Sequence, residues 1–333
     1  MSRILSGDLP RSRVLATVLV LIVLGLLAAP FLFPGARSLN VAAKVAVFVL
    51  LVASYDLLLG YTGIVSFAHT MFFGIGGYGI GIAAARLGPT WGNLALGFLA
   101  SLALTAVVAL VIGLLSLRVR AVFFAMITLA VASFFQILAS QLSDFTGGED
   151  GLNFKLPELL QSRLASYYLV LAAAAALFLV LLRIVNSPFG RVLQSLRENE
   201  FRCEALGYRT VFYRTAANCL GALFATVAGA LYAIWLRYTG PEATLSFAIM
   251  IDVLLMVVIG GMGTLYGAVI GATLFVVAQN YLQDLMKLAS GATAGIPLLP
   301  NLLHPDRWLL WLGVLFIVCV YYFPTGIVGR LRR

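Results

Sequence analysis

NSPFGRVLQSLRENEFRCEALGYRTVFYR, residues 186–214, is the longest charged run in a chain that is otherwise almost continuously apolar. Arg191, Arg197, Arg202, Arg209 and Arg214 stand in it, with Arg183 at its lip and Glu198, Glu200 and Glu204 among them. A bilayer rejects such a density of charge, at about 2.5–3.5 kcal/mol per buried Arg on insertion scales. The segment therefore lies in water, and its Arg excess places it in the cytoplasm.

Its local chemistry is helical. Ser187 suits a cap, Pro188 the first helical position and Gly207 a left-handed stop. Phe189, Val192, Leu193 and Leu196 repeat at i, i+3, i+4 and i+7, which makes one apolar face in need of a partner. The stripe breaks at residues 197–200, where Asn199 can cap a second short helix running to Leu206. Two small helices meeting at an angle are expected, and a solvated linker that only orients the chain by its charge is the simpler alternative.

Around this segment the chain is 62% hydrophobic and 11% charged. Soluble domains run near 45–50% and about 25%, so the fold class is all-α, polytopic and membrane-integral. The net charge of +9 is spread between apolar spans rather than gathered in one patch, which speaks for orientation in a membrane and against a nucleic-acid partner. Cys203, Cys219 and Cys319 are isolated thiols without metal spacing, and His69 and His304 form no recognisable metal or nucleophile arrangement. No Lys follows a Gly, so the chain has no P-loop for ATP.

About ten membrane segments are legible, at 14–33, 41–59, 64–85, 93–117, 121–142, 166–185, 213–236, 247–259, 267–285 and 308–327. The first is read as a retained span rather than a cleaved signal peptide, because its apolar run continues through Phe33 past Ala28 and Ala29. The eighth is short and abuts a Gly cluster, so a re-entrant segment and nine full crossings are the alternative. The whole of 1–333 reads as a single transmembrane domain with one cytoplasmic loop at 186–214.

Alternating ten crossings from a cytoplasmic N-terminus puts Arg3, Arg11, Arg13, Arg118, Arg120, the Arg group at 183–214, Arg330, Arg332 and Arg333 inside. The acids divide the other way. Asp144, Glu149, Asp150, Glu158, Glu242, Asp284 and Asp306 fall outside, with only Asp8, Glu198, Glu200 and Glu204 inside. Both termini are expected in the cytoplasm.

Two Gly clusters mark the membrane interior. The first runs Gly60, Gly63, Ser66, His69, Gly74, Gly76, Gly77, Tyr78, Gly79, Gly81, and the second Gly260, Gly261, Gly263, Gly267, Gly271. Glycine weakens a helix by up to about 1 kcal/mol per residue, so something must compensate. Close helix packing, with Gly77 and Gly81 as a GxxxG pair, and a broken helix lining a cavity are both open. Asp56 and Asp252 precede the clusters within spans. Such acids are functional candidates by default, though a helix-end acid bonded to Ser, Thr or Tyr is the plain reading. Two clusters, each with an acid before it, also hint at an internal repeat.

GYTGIVSFAHTMFFGIGGY, FTGGEDGL, SPFGRVLQSLRENEFRCEALG, GALYA and VVIGGMGTLYGAVIGA, in this order, resemble the permease subunits of branched-chain amino acid ABC importers. The likeness spans most of residues 56–329. RENE at 197–200 and TGGEDG at 146–151 resemble the M-type permease rather than its H-type partner. The resemblance implies a non-catalytic permease with no bound cofactor, ATP and Mg being held by two cytoplasmic ATP-binding subunits. It further implies an H-type permease partner, an extracytoplasmic solute-binding protein and a bacterial inner-membrane location. Carried over, Gly190, Arg191, Arg197, Glu198, Asn199, Glu200, Glu204, Ala205 and Gly207 form coupling helices that dock on the ATPase, which supplies the apolar face with its partner, and Leu196 and Phe201 are expected to be buried there. Ala68 stands where the family usually has Gly, and Arg202 and Cys203 replace small residues. An ion-coupled secondary transporter using Asp56 or Asp252, a permease for urea or amides and a passive channel are the rival readings.

Overall fold

The computed structural model describes residues 12–32, 35–116, 121–292, 304–323 and 325–331. Arg3, Asp8, Arg11, Phe33, Leu117, Arg118, Arg120, Arg332 and Arg333, used above for span ends and orientation, lie outside the described residues.

The chain is built from helices: α1 (Arg13–Leu32), α2 (Ala36–Thr62), α3 (His69–Ile82), α4 (Trp91–Ser116), α5 (Ala121–Gln141), α6 (Ser143–Thr146), α7 (Arg163–Val185), α8 (Pro188–Glu198), α9 (Glu200–Ala205), α10 (Thr210–Leu236), α11 (Pro241–Thr244), α12 (Phe247–Gly260), α13 (Leu265–Ala292), α14 (Trp308–Tyr322) and α15 (Gly326–Leu331). A π-helical turn, Ala83–Leu87, extends α3. Among the described residues ten stretches are long and apolar enough to cross a membrane. With the turn of α11 in front of it, the eighth runs Pro241–Gly260 and reaches 20 residues.

Why α2 sits at the centre is written in its composition. Its apolar residues fall on every side rather than on one stripe, and a helix apolar all round is stable only when surrounded. In its most hydrophobic window 94% of the residues are buried, against 11% for α1, 22% for the fifth span and 19% for the last. It packs against α1, α7, α8, α10, α12 and α13. The peripheral helices keep Leu21, Leu99, Phe123 and Ile317 exposed, the surface a hydrocarbon core requires. The first span is pinned by its neighbours, with Tyr167 Oη donating to the Leu26 carbonyl at 2.5 Å and Leu15 packed with Ile270 and Val328.

Close helix contact explains most of the glycines. In lipid no hydrophobic force separates helix contacts from lipid contacts, so helices associate where small residues let their backbones approach. A Cβ at Gly76 would overlap the Thr226 carbonyl of α10, and one at Gly229 would overlap the Phe73 carbonyl of α3. The α12–α13 contact repeats the arrangement, with Gly260 against the Gly267 carbonyl and Gly271 against that of Met256. The expected Gly77–Gly81 pair is closely packed against Thr239, at 3.1 Å and 2.5 Å from where the added Cβ atoms would stand, and Gly76 beside it is tighter still.

At the opposite end from the 186–214 loop, a two-stranded antiparallel ladder pairs β1 (Leu152–Asn153) with β2 (Tyr238–Thr239), in the register Leu152 with Thr239 and Asn153 with Tyr238. Tyr238 Oη donates to the Asp150 carbonyl at 3.1 Å and the Arg237 guanidinium to the carbonyls of Leu160 and Gln161. The TGGEDG turn is thereby folded onto the helix bundle.

Candidate functional site

The second and third spans are two helices that run back alongside each other, Ser54 beside His69 and Phe48 beside Phe73, joined by an extended connector. The expected start at residue 64 is too early: α2 runs on to Thr62, residues 63–68 are extended, and helix resumes at His69. Gly63 ends α2 with φ +74°, a left-handed value that an L side chain adopts only with strain. Its amide bonds the Leu59 carbonyl at 3.2 Å, while Ile64 reaches back to Leu58 at 3.3 Å, a Schellman-type stop. The run Gly74–Gly81 stays regularly helical. Glycine thus serves as a helix stop at Gly63 and as a packing residue from Gly74 onward.

The second cluster breaks in the same manner. α12 stops at Gly260, Gly261 and Gly263 take φ +118° and +81°, and Thr264 Oγ1 closes the turn on the Gly261 carbonyl at 2.8 Å before α13 begins. The two breaks then meet. Asp56 Oδ1 accepts the Gly263 amide at 2.9 Å, across 207 residues of sequence. Asp56 and Gly60 are four apart on one helix face, and a Cβ at Gly60 would fall on Asp56 Oδ1 and on the Gly263 nitrogen. Gly60 is therefore the vacancy through which the two breaks touch. Asp56 is 1% exposed and its Oδ2 has no hydrogen-bond partner.

Arg197 joins this junction from α8. Its Nη1 donates to the Gly60 carbonyl, its stem lies 3.3 Å from where a Gly63 Cβ would stand, and Nη1 lies 3.0 Å from that of Gly263. The last turn of an amphipathic surface helix is thus tied to both membrane breaks by one side chain. Arg197 and Asp56 thus meet at one junction, each bound to its backbone.

The helix pair itself folds as its caps dictate. Asn199 Oδ1 accepts the Arg202 amide at 2.9 Å, and Gly207 takes φ +88°. Ser187 occupies the N-cap of α8, but its hydroxyl turns back to the Ile184 carbonyl at 2.6 Å. Gly190 leaves no room for a Cβ beside the Val185 carbonyl.

The apolar stripe corrects the sequence reading. Leu193 and Leu196 are 0% and 2% exposed, because the face packs on α2, α7 and α10 of this same chain, with Phe189 stacked on Tyr213 at 5.9 Å. An amphipathic pattern says that a face is buried, not against what, and here the nearest apolar surface is internal. Leu196→Ala should therefore cost the isolated chain about 2–5 kcal/mol, read as a lower thermal midpoint of the purified protein. An unchanged midpoint would show that the stripe is not anchored internally.

α9 is fastened by ion pairing. Arg214 donates twice to Glu200, at 2.6 and 2.9 Å, and Thr210 donates to Glu204 at 2.9 Å. Arg191, Glu198, Arg202, Ala205 and Phe201 are left facing outward, Phe201 at 84% exposure.

The remaining candidates scatter. His69 Nε2 lies 2.9 Å from Ser54 Oγ in a buried pair at the start of α3, and Ser66 Oγ accepts the Ala68 amide at 3.3 Å, so both shape the break. Gly74 sits against Leu245. Tyr78 is buried with Ala139 and Leu245, its hydroxyl unpartnered. Asp252 is not the counterpart of Asp56: it accepts from Gln279 at 3.3 Å rather than from a broken backbone. Asp56 is bonded by the backbone of the Gly263–Thr264 turn and Asp252 by the Gln279 side chain. Sequence reasoning passed over Lys44, which bonds Gln279 at 2.9 Å. A lone Lys inside the 41–59 span was signal enough, by the rule that singled out the acids.

The family model described as branched-chain amino acid transport system / permease component matches residues 37–320. The chain is 26% identical over 327 residues to the high-affinity branched-chain amino acid transport system permease protein LivM of Salmonella typhimurium, covering 89% of this chain and 71% of that one. Against the Escherichia coli protein of the same name the figures are 26% over 347 residues, 94% and 75%. Against the probable LivM of Methanocaldococcus jannaschii they are 28% over 208 residues, 60% and 58%. No solved structure matches the chain.

Proposed function

The chain belongs to the branched-chain amino acid transport permease family, and on that premise we propose how it works: as the M-type permease subunit of an ATP-driven importer of branched-chain amino acids, set in the cytoplasmic membrane with both termini inside. It carries the path and not the chemistry. ATP and Mg are held by two cytoplasmic subunits, an H-type permease completes the membrane domain, and an extracytoplasmic binding protein delivers substrate.

The observation that supports this reading is the division of labour on α8 and α9. One face is anchored in the chain by Leu193 and Leu196, Arg197 reaches the junction of the two helix breaks, and the outward face presents Phe201 among charges. Such a segment passes displacement from an outside partner to the membrane breaks. A two-state permease needs this, because a partner shifts the equilibrium only through contacts that differ between the states.

Phe201→Ala provides the test. It should leave the thermal midpoint of the purified chain unchanged and remove about 1.5–3 kcal/mol of burial at the ATPase joint. Less ATPase should then co-purify, and uptake and stimulated ATP hydrolysis should fall together. Full uptake from a preparation without any ATPase, driven by an ion gradient, would replace the importer by a secondary transporter.

A further inference from the structure

Lys44 on α2, Gln279 on α13 and Asp252 on α12 meet inside the spans Ala36–Thr62, Leu265–Ser290 and Pro241–Gly260. Lys44 and Gln279 lie roughly 12 Å or more of helical rise from either end of their helices, and Asp252 roughly 7 Å from the start of α12. Lys44 Nζ donates to Gln279 Oε1 at 2.9 Å and lies 5.4 Å from the centre of the Phe48 ring, while Gln279 Nε2 donates to Asp252 Oδ2 at 3.3 Å. All three residues are half-buried.

What separates this cluster from a structural ion pair is that the charges do not touch. Nearer the end of α13 the same seam holds an ordinary pair, Arg37 Nη1 to Asp284 Oδ2 at 2.6 Å. Lys44 and Asp252, where the dielectric is lower and contact most rewarding, are instead held apart by one neutral amide. Lys44 spends one of its three N–H donors on that amide, and Asp252 a single acceptor position. Half-open charges at this depth are costly against acyl chains, so Lys44 and Asp252 are groups that a polar ligand would compensate.

An ammonium and a carboxylate one amide apart match, with opposite signs, the charged end of an α-amino acid. We propose that Lys44, Gln279 and Asp252 form an intramembrane station on the translocation path that takes the zwitterion of an α-amino acid. Lys44 receives its carboxylate, Asp252 its ammonium, and the Gln279 amide yields its bonds to both. This rests on the importer reading above.

The test uses the whole complex reconstituted in vesicles, with radiolabelled leucine as probe. Lys44→Met and Asp252→Asn should each lower uptake about tenfold or more, since each leaves one end of the zwitterion unpaired. Gln279→Cys should react with methanethiosulfonate ethyltrimethylammonium supplied on both sides, above the level of the unsubstituted complex. Leucine with the binding protein should slow that reaction several-fold, and isocaproate, which lacks the ammonium, should not. A merely structural cluster would show no such protection. Wild-type uptake in both charge variants, or a Gln279→Cys thiol that stays unreactive or unprotected while leucine is imported, would overturn the station alone. Absence of leucine uptake by the unsubstituted complex would overturn the importer reading, and the station with it.

Discussion

Gly229→Ala should sharply lower the yield of folded chain in the membrane, and Gly76→Ala should do the same from the other side of the contact. The added methyl at 229 overlaps the Phe73 carbonyl, and that at 76 the Thr226 carbonyl. Main-chain atoms in two packed helices have no rotamer to escape to, so α3 and α10 must move apart. Overpacking of this kind costs about 1–3 kcal/mol and occasionally more. Separation also opens the Phe48, Phe73 and Tyr232 ring cluster and the Thr105–Thr226 hydroxyl pair at 2.7 Å. The measurement is the yield of monodisperse chain after detergent extraction, with its thermal midpoint. Gly25→Ala and Gly92→Ala, where a methyl meets nothing within 4 Å, serve as controls and should match wild type. Wild-type behaviour of Gly229→Ala would mean that the α3–α10 contact is not tight.

Asp56→Leu comes second in size and separates stability from transport. It strands the Gly263 amide in a buried place, which costs about 1–3 kcal/mol, and removes the charge beside Arg197. The two helix breaks then lose the bond that joins them. Asp56→Asn keeps an acceptor for Gly263 and loses only the charge, so it should recover folded protein at nearly wild-type yield. Uptake should fall strongly in the Leu variant and to an intermediate level in the Asn variant. Equal uptake in both variants and wild type would show that the junction does not need its acid.

How much of this was written in the sequence depends on how local each signal is. The spans and the α8–α9 pair were legible, because apolar runs, Asn199 as a cap and Gly207 as a stop act within a few residues. The gap between the spans at 41–59 and 64–85 contains Gly63, but no glycine was singled out as the break, and the following helix was started at 64 instead of His69. Ile64, Val65 and Phe67 are apolar, and hydropathy does not tell buried extended backbone from helix. Asp56 was marked as an acid in a span, yet its partner Gly263 stands 207 residues away and leaves no trace near it. Arg197 was assigned to the ATPase joint, and its bond to the Gly60 carbonyl, 137 residues away, leaves no local trace.

The central claim is that α8 moves the membrane breaks through Arg197. The direct measurement is the number of leucine molecules imported per ATP hydrolysed, in vesicles carrying the complete complex with Arg197→Met. Leu193 and Leu196 still hold α8 in place and Phe201 still faces the ATPase, so the subunits should be recovered together. Losing the link to Gly60 and the charge beside Asp56 should lower the import ratio about tenfold, a loss of roughly 1.4 kcal/mol of coupling. A wild-type ratio at wild-type uptake would contradict the account.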